Sequence, residues 1–161
     1  MPDTRYQDDY YLWTREQAAR LRDAGRSGNN APVDWEQVAE EIEDMGDVKW
    51  DEIETRLGLL IVHLLKLLYV EELRERNARQ WWLTINEQRR TIPKRLKRSP
   101  SLRPMLVSEF PAVYAESIEV AAEEAEVDIS RFPAEPPFTL DQALDRAYPE
   151  HLVPPHRRPQ G

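Results

Sequence analysis

Residues 57–70 read LGLLIVHLLKLLYV, an apolar run interrupted by two basic side chains, His63 and Lys66. An imidazole can exchange a proton near neutral pH and an ammonium can hold an anion, so this pair is the first place to look for chemistry. At ~100° per residue, Glu52, Arg56, His63 and Lys66 fall within an arc of ~80° on one helix. Cations enclosed among leucines must be met by an acid or lose their charge. Glu41, at the edge of the apolar face of the preceding segment, is the acid expected to meet them. Two uses of such a cluster are open. One is a satisfied polar contact that fixes helix register, the commoner role of such networks. The other is an acid/base site in which His63 moves a proton, Glu41 orients the ring, and Lys66 and Arg56 hold an anionic substrate.

Metal chemistry has little to work with. Cysteine is absent, and two of the three histidines, His151 and His156, lie near the C-terminal end. No H-E-x-x-H or E-x-x-H spacing occurs, and Glu40, Glu41, Glu43 and Asp44 read as a solvated face. No metal and no cofactor is expected, and no Gly-rich phosphate loop or nucleophile elbow appears.

Charge is segregated. Residues 34–54 carry ten acids against one lysine, residues 89–103 seven bases and no acid, and residues 109–128 seven acids and no base. The plain reading is a basic helix lying against acidic ones. The sharper one makes Arg89, Arg90, Lys94 and Arg95 a phosphate or nucleic-acid site, with Trp81 and Trp82 stacking on bases. A net charge of −8 opposes it, so nucleic acid is not the expected partner. Adjacent tryptophans on a helix diverge by ~100°. One of Trp81 and Trp82 is therefore expected at the surface, as an anchor for a protein partner or a second copy of the chain.

The elements that must position these residues are helical. Helical spacing and cap residues predict helices over 8–24, stopped by Gly25; from Asp34 to Gly46; from Asp47 to about 75; 78–98; 99–127; and 140–147. Asp34 and Thr139 each open a D/T-x-x-Q cap, and Ser99-Pro100 reads as a helix entry. The expected stripes are Trp35, Val38, Ile42 and Met45; Trp82, Ile85, Ile92 and Leu96; and Leu106, Val113, Ile118 and Ala121. Pro93 and Pro111 should kink the later helices. Residues 149–161, rich in proline, read as a flexible tail. No alternating strand pattern competes with this.

With 161 residues, 40% of them hydrophobic and 32% charged, the chain can enclose a core. The expectation is one all-α domain over residues 8–148, a compact bundle of five to six helices. Fourteen apolar residues are too few to span a bilayer, and MPDTRYQDDY lacks the basic start and apolar run of a secretory signal, so a cytoplasmic protein is expected.

Several phrases occur in a telling order: EEIEDMG from Glu40, HLLK from His63, Thr84-Ile85 after a tryptophan, Gln88-Arg89, SPSL from Ser99, and Phe132-Pro133. Over residues 8–148 the chain resembles a bacterial family known as domain of unknown function 29. The resemblance implies an all-helical domain and no established activity. Pro93 departs from it, since similar sequences continue the helix there. The reading that follows is a small helical interaction module, alone or self-associating, in preference to an enzyme. An enzyme or small-anion binder centred on His63, Glu41, Lys66 and Arg56 ranks second, and nucleic-acid association through residues 89–103 third.

Overall fold

The computed structural model describes residues 4–28 and 30–158. Five α-helices follow in order: α1 (Tyr10–Arg26), α2 (Trp35–Tyr69), α3 (Glu71–Arg98), α4 (Leu102–Ala125) and α5 (Leu140–Leu144). Two 3-10 turns, Ile129–Arg131 and Pro155–Arg157, complete the described chain, which contains no strand. The residues group into two compact units, Met1–Ile53 with Lys94–Met105, and Glu54–Pro93 with Leu106–Gly161.

Two expected helices are one. Gly46 does not end a helix: it lies inside α2, and the described residues with left-handed φ are Gly28 and Glu126. Glycine in a helix interior costs about 1 kcal/mol against alanine, and packing explains why it is there. In the first unit α1 runs antiparallel to α2, with Thr14, fully buried, set against Gly46 so closely that an added Cβ would collide with the Thr14 hydroxyl. Gly25 likewise lies within α1, pressed on Trp35, where an added Cβ would come within 2.7 Å of the indole's own Cβ. The contact uses small side chains, so the buried face of α2 here is Ala39, Gly46 and Ile53. Val38 and Met45, expected inside, are 39% and 45% exposed.

Polar groups lock this unit. Arg22 reaches Glu36 at 2.8 Å and Glu43 at 2.6 Å, and its guanidinium holds the Glu43 carboxyl below the usual range. Arg15 pairs with Asp47, which is therefore a mid-helix ion-pair partner and not a cap. The entry of α1 and the turn before α4 cap each other. Asp9 accepts from Leu12 N at 3.0 Å and Ser101 N at 2.7 Å, while the Ser99 hydroxyl accepts from Tyr11 N at 3.2 Å. Ser99 thus caps α1, and α4 starts two residues later than Ser99-Pro100 suggests.

The second unit contains the apolar run. Leu57, Leu60, Ile61, Leu64, Leu65 and Val70 are fully buried, each worth about 1.5–3 kcal/mol against exposure. The chain breaks at Val70 without glycine or proline. Arg74 makes the break, its Nε donating to Leu67 O at 2.8 Å and its Nη2 to Leu68 O at 3.3 Å, which satisfies carbonyls left open at the end of α2. Pro93 and Pro111 sit inside α3 and α4 with exposed side chains. The chain after α4 folds back as aromatic packing: Phe138 meets the rings of Phe110, Tyr114 and Tyr148 at 6.3, 6.2 and 5.9 Å. The Tyr114 hydroxyl donates to Pro133 O at 2.6 Å, and burial pushes its pKa up to about 12. Thr139 and Gln142 form the expected capping box on α5. Val153 is buried, and Arg158 donates to its carbonyl.

Candidate binding site on the α2–α4 face

Within the second unit, α2 and α4 run parallel and meet at small side chains. Gly58 faces Val113 and Ser117, and the Ser117 hydroxyl donates to Val113 O at 2.7 Å. Eight residues on, Lys66 is buried and its Nζ lies 2.7 Å from Glu124 Oε2. The same ammonium sits 5.6 Å from the centre of the Trp81 ring, a cation–π arrangement. A buried lysine does meet a carboxylate, but the acid is Glu124 and not Glu41. Glu41 is exposed and accepts from Gln37 Nε2, one turn back. It belongs to the first unit, 22 residues and about six turns before His63 along the same helix α2. Joining the two expected helices into one is what removed it from the cluster.

His63 is half-buried, and its Nδ1 lies 2.8 Å from Leu59 O. That bond places the ring proton on Nδ1 and leaves the Nε2 lone pair free. Burial above all, then the nearby Lys66 charge, holds its pKa below the ordinary histidine value, against the pull of the Leu59 carbonyl and Glu124. The imidazole is neutral at pH 7. Arg56 Nη1 donates to Gln88 Oε1 at 3.0 Å, and Glu52 accepts from Arg95 Nε at 3.0 Å. The four residues of the polar stripe thus reach four different partners, and the structure does not bring His63, Glu41, Lys66 and Arg56 together around a common substrate position.

Beside the Lys66–Glu124 pair lies an open groove of about 310 Å³. Leu59, Val62, Val113 and Val120 line it above the Gly58–Ser117 floor, and Glu54, Glu116 and Glu124 stand at its edge. Leu59 and Val120 are 39% and 43% exposed, unlike the rest of the apolar run around Leu59. Its place in the apolar run 57–70 marked Leu59 for burial. The clue to Glu124 was the acidic block itself, which has no base to neutralise it.

The remaining candidates scatter. Trp81 and Trp82 are both buried, at 6% and 3% exposure, because α3 is covered on more than one side. Neither is the surface anchor expected of one of them. Trp82 borders a cavity of about 440 Å³ with Leu67, Ala78 and Leu152. Arg89 is buried too, its Nε donating to Ala143 O and its Nη2 to Tyr148 O, both at 2.8 Å. Burial lowers its pKa to about 10, and Nη1 is buried with no partner among the described residues. Arg89 is a fastener for the returning chain and offers nothing to a phosphate. Arg90 and Lys94 are exposed on α3, and Arg95 is held by Glu52.

Among the described residues, no group of three or more histidine, aspartate or glutamate side chains is placed to hold a metal ion, and no helix is long and apolar enough to cross a membrane. The model of the family described as domain of unknown function DUF29 matches residues 5–149. The chain belongs to that family. Its fold is shared with an α-helical protein of unknown function from Rhodospirillum rubrum, whose crystal structure superposes with a TM-score of 0.77 at 20% identity. The match covers 95% of this chain and 100% of the other. No curated protein matches the chain. The all-α architecture is common to this DUF29 chain and its structural neighbour.

Proposed function

We propose that this chain is a bacterial, cytoplasmic helical binding module whose α2–α4 groove receives an apolar, positively charged helix from a protein partner. The carrying observation is the groove itself, aliphatic along its length and edged by Glu54, Glu116 and Glu124. Exposed Leu59 and Val120 would be covered by the partner's apolar stripe, in the manner of helix-in-groove recognition. The acidic block of α4 supports a cationic partner: Glu116, Glu119, Glu123 and Glu124 are all exposed on that helix. It speaks against a second copy of the chain across the same face, because two-fold pairing would set those acids against their own copies.

The test uses a labelled amphipathic peptide of leucine, alanine and lysine, followed by fluorescence anisotropy. Binding that weakens at least tenfold in Val120→Asp and with rising salt, and that a leucine–glutamate peptide cannot reproduce, supports the reading. Equal binding by Val120→Asp overturns it. So does a dimer in sedimentation that Val120→Asp converts to monomer, since the groove would then be occupied by the chain's own copy.

A further inference from the structure

The first unit holds a separate concavity of opposite electrical character. It encloses about 190 Å³, with Lys49 from α2 and Arg95 and Arg98 from α3 supplying charge, and Tyr6, Tyr10 and Ile53 supplying walls. Glu52 engages Arg95 at 3.0 Å. Lys49 and Arg98 are held by ring faces alone, with Lys49 Nζ 5.9 Å from the Tyr10 centroid and Arg98 Cζ 5.7 Å from that of Tyr6. Neither forms an ion pair among the described residues. Two cations are thus steered to one opening by aromatic rings, an arrangement that leaves their N–H groups available to oxygens.

The Ser99 side of the pocket is held by hydrogen bonds. Ser99, 3% exposed, lines it and is fixed by the bond from Tyr11 N, while Asp9 is occupied by Leu12 N and Ser101. Tyr6 packs edge-on against both Tyr10 and Trp13, at 5.3 and 5.1 Å. Burial, then neighbouring Tyr6, raises the Tyr10 pKa, so its phenol stays a neutral O–H donor at physiological pH.

We propose that this pocket binds a compact organic oxyanion, a phosphate or carboxylate carried on a flat apolar body. Lys49 and Arg98 meet the oxygens, and Tyr10 and Ile53 meet the body. The volume is below the 300–1,000 Å³ usual for drug-sized ligands, which argues for a small molecule. A nucleic-acid strand needs a continuous basic track with bases stacked along it, and a concavity of about 190 Å³ does not supply one.

Isothermal titration of the full chain with phenyl phosphate, benzoate and inorganic phosphate tests this. Saturable binding of phenyl phosphate or benzoate is expected, and the tighter of the two identifies the headgroup. Affinity should fall at least tenfold in Lys49→Ala and in Arg98→Ala, and stay within twofold in Lys97→Ala, an exposed base on the same helix outside the pocket. Circular dichroism confirms that each variant is folded, and Arg98→Lys, which keeps the charge, should retain most of the affinity lost in Arg98→Ala. The proposal is overturned if neither aromatic probe binds at millimolar concentration, or if Lys49→Ala and Arg98→Ala bind like the parent. It is also overturned if inorganic phosphate binds as tightly as phenyl phosphate, or if a single-stranded oligonucleotide outcompetes the small probes.

Discussion

Lys66 and Arg89 are both buried cations on long helices of the same unit, and they are held in opposite ways. Lys66 is met by one carboxylate, Glu124, whose side chain is 45% exposed. Arg89 is met by two backbone carbonyls, Ala143 O and Tyr148 O, and no ion pair to it is formed among the described residues. A carboxylate that can swing into water loses little when its cation is removed, whereas a buried carbonyl such as Ala143 O and a part-buried one such as Tyr148 O have less water to turn to. Charge at a functional-looking position therefore says less about function than the mobility of the group that answers it. The lysine end borders an open groove; the arginine end staples the chain returning through α5.

The largest expected effect follows directly. Arg89→Met should cost about 3 kcal/mol or more, from the loss of two charge-assisted bonds that leaves two carbonyls unmet. Denaturant melts would show it, with faster proteolysis after residue 139 as the local sign. Lys66→Met, which keeps an apolar stem of similar length and frees Glu124 to solvent, should stay within about 1 kcal/mol of the parent. Equal losses in the two variants would break the comparison.

Next come the glycines of α2. Gly46→Ala must push into Thr14, whose hydroxyl is already bonded to Tyr11 O at 2.6 Å, and should cost about 1–3 kcal/mol. Gly58→Ala meets Ser117 and Val113 at 3.8 and 3.9 Å, ordinary contact distances, and should gain up to about 1 kcal/mol from helix propensity. Thermal unfolding separates the two by sign. A gain in both would mean that the α1 contact is looser than described.

The smallest effect is a pH dependence beside Lys66. Because His63 has a lowered pKa when folded, the unfolded chain takes up its proton first as pH falls below the usual histidine value of 6.5. Stability from this group is complete above that value and declines as pH drops toward the folded pKa. His63→Leu should flatten the decline between pH 7.5 and 5. An unchanged profile in His63→Leu would show that the imidazole is more open to water than its half-burial implies.

Much of the fold was legible in residue order. The stripes Trp82, Ile85, Ile92, Leu96 and Leu106, Val113, Ile118, Ala121 are all buried, because 3.6-residue periodicity depends on nothing beyond the chain itself. Asp34 does accept from Gln37 N at 3.1 Å, and Thr139 forms its box, since caps act over three residues. The candidate site was far less legible. The need of Lys66 for an acid could be read, but its identity could not, because Glu41 and Glu124 look alike until the helices are joined and placed.

By itself the sequence determined that the protein is helical, where the apolar stripes of α3 and α4 lie, and that the cation at Lys66 needs an acid. Tertiary structure alone decided that Gly46 is a contact and not a stop, that Arg89 binds carbonyls, and that an acid-edged groove opens beside Glu124. The reason is physical. Periodicity and capping are set by neighbours within a turn of helix, whereas the partner of a buried charge and the shape of a surface depend on residues brought together from distant parts of the chain.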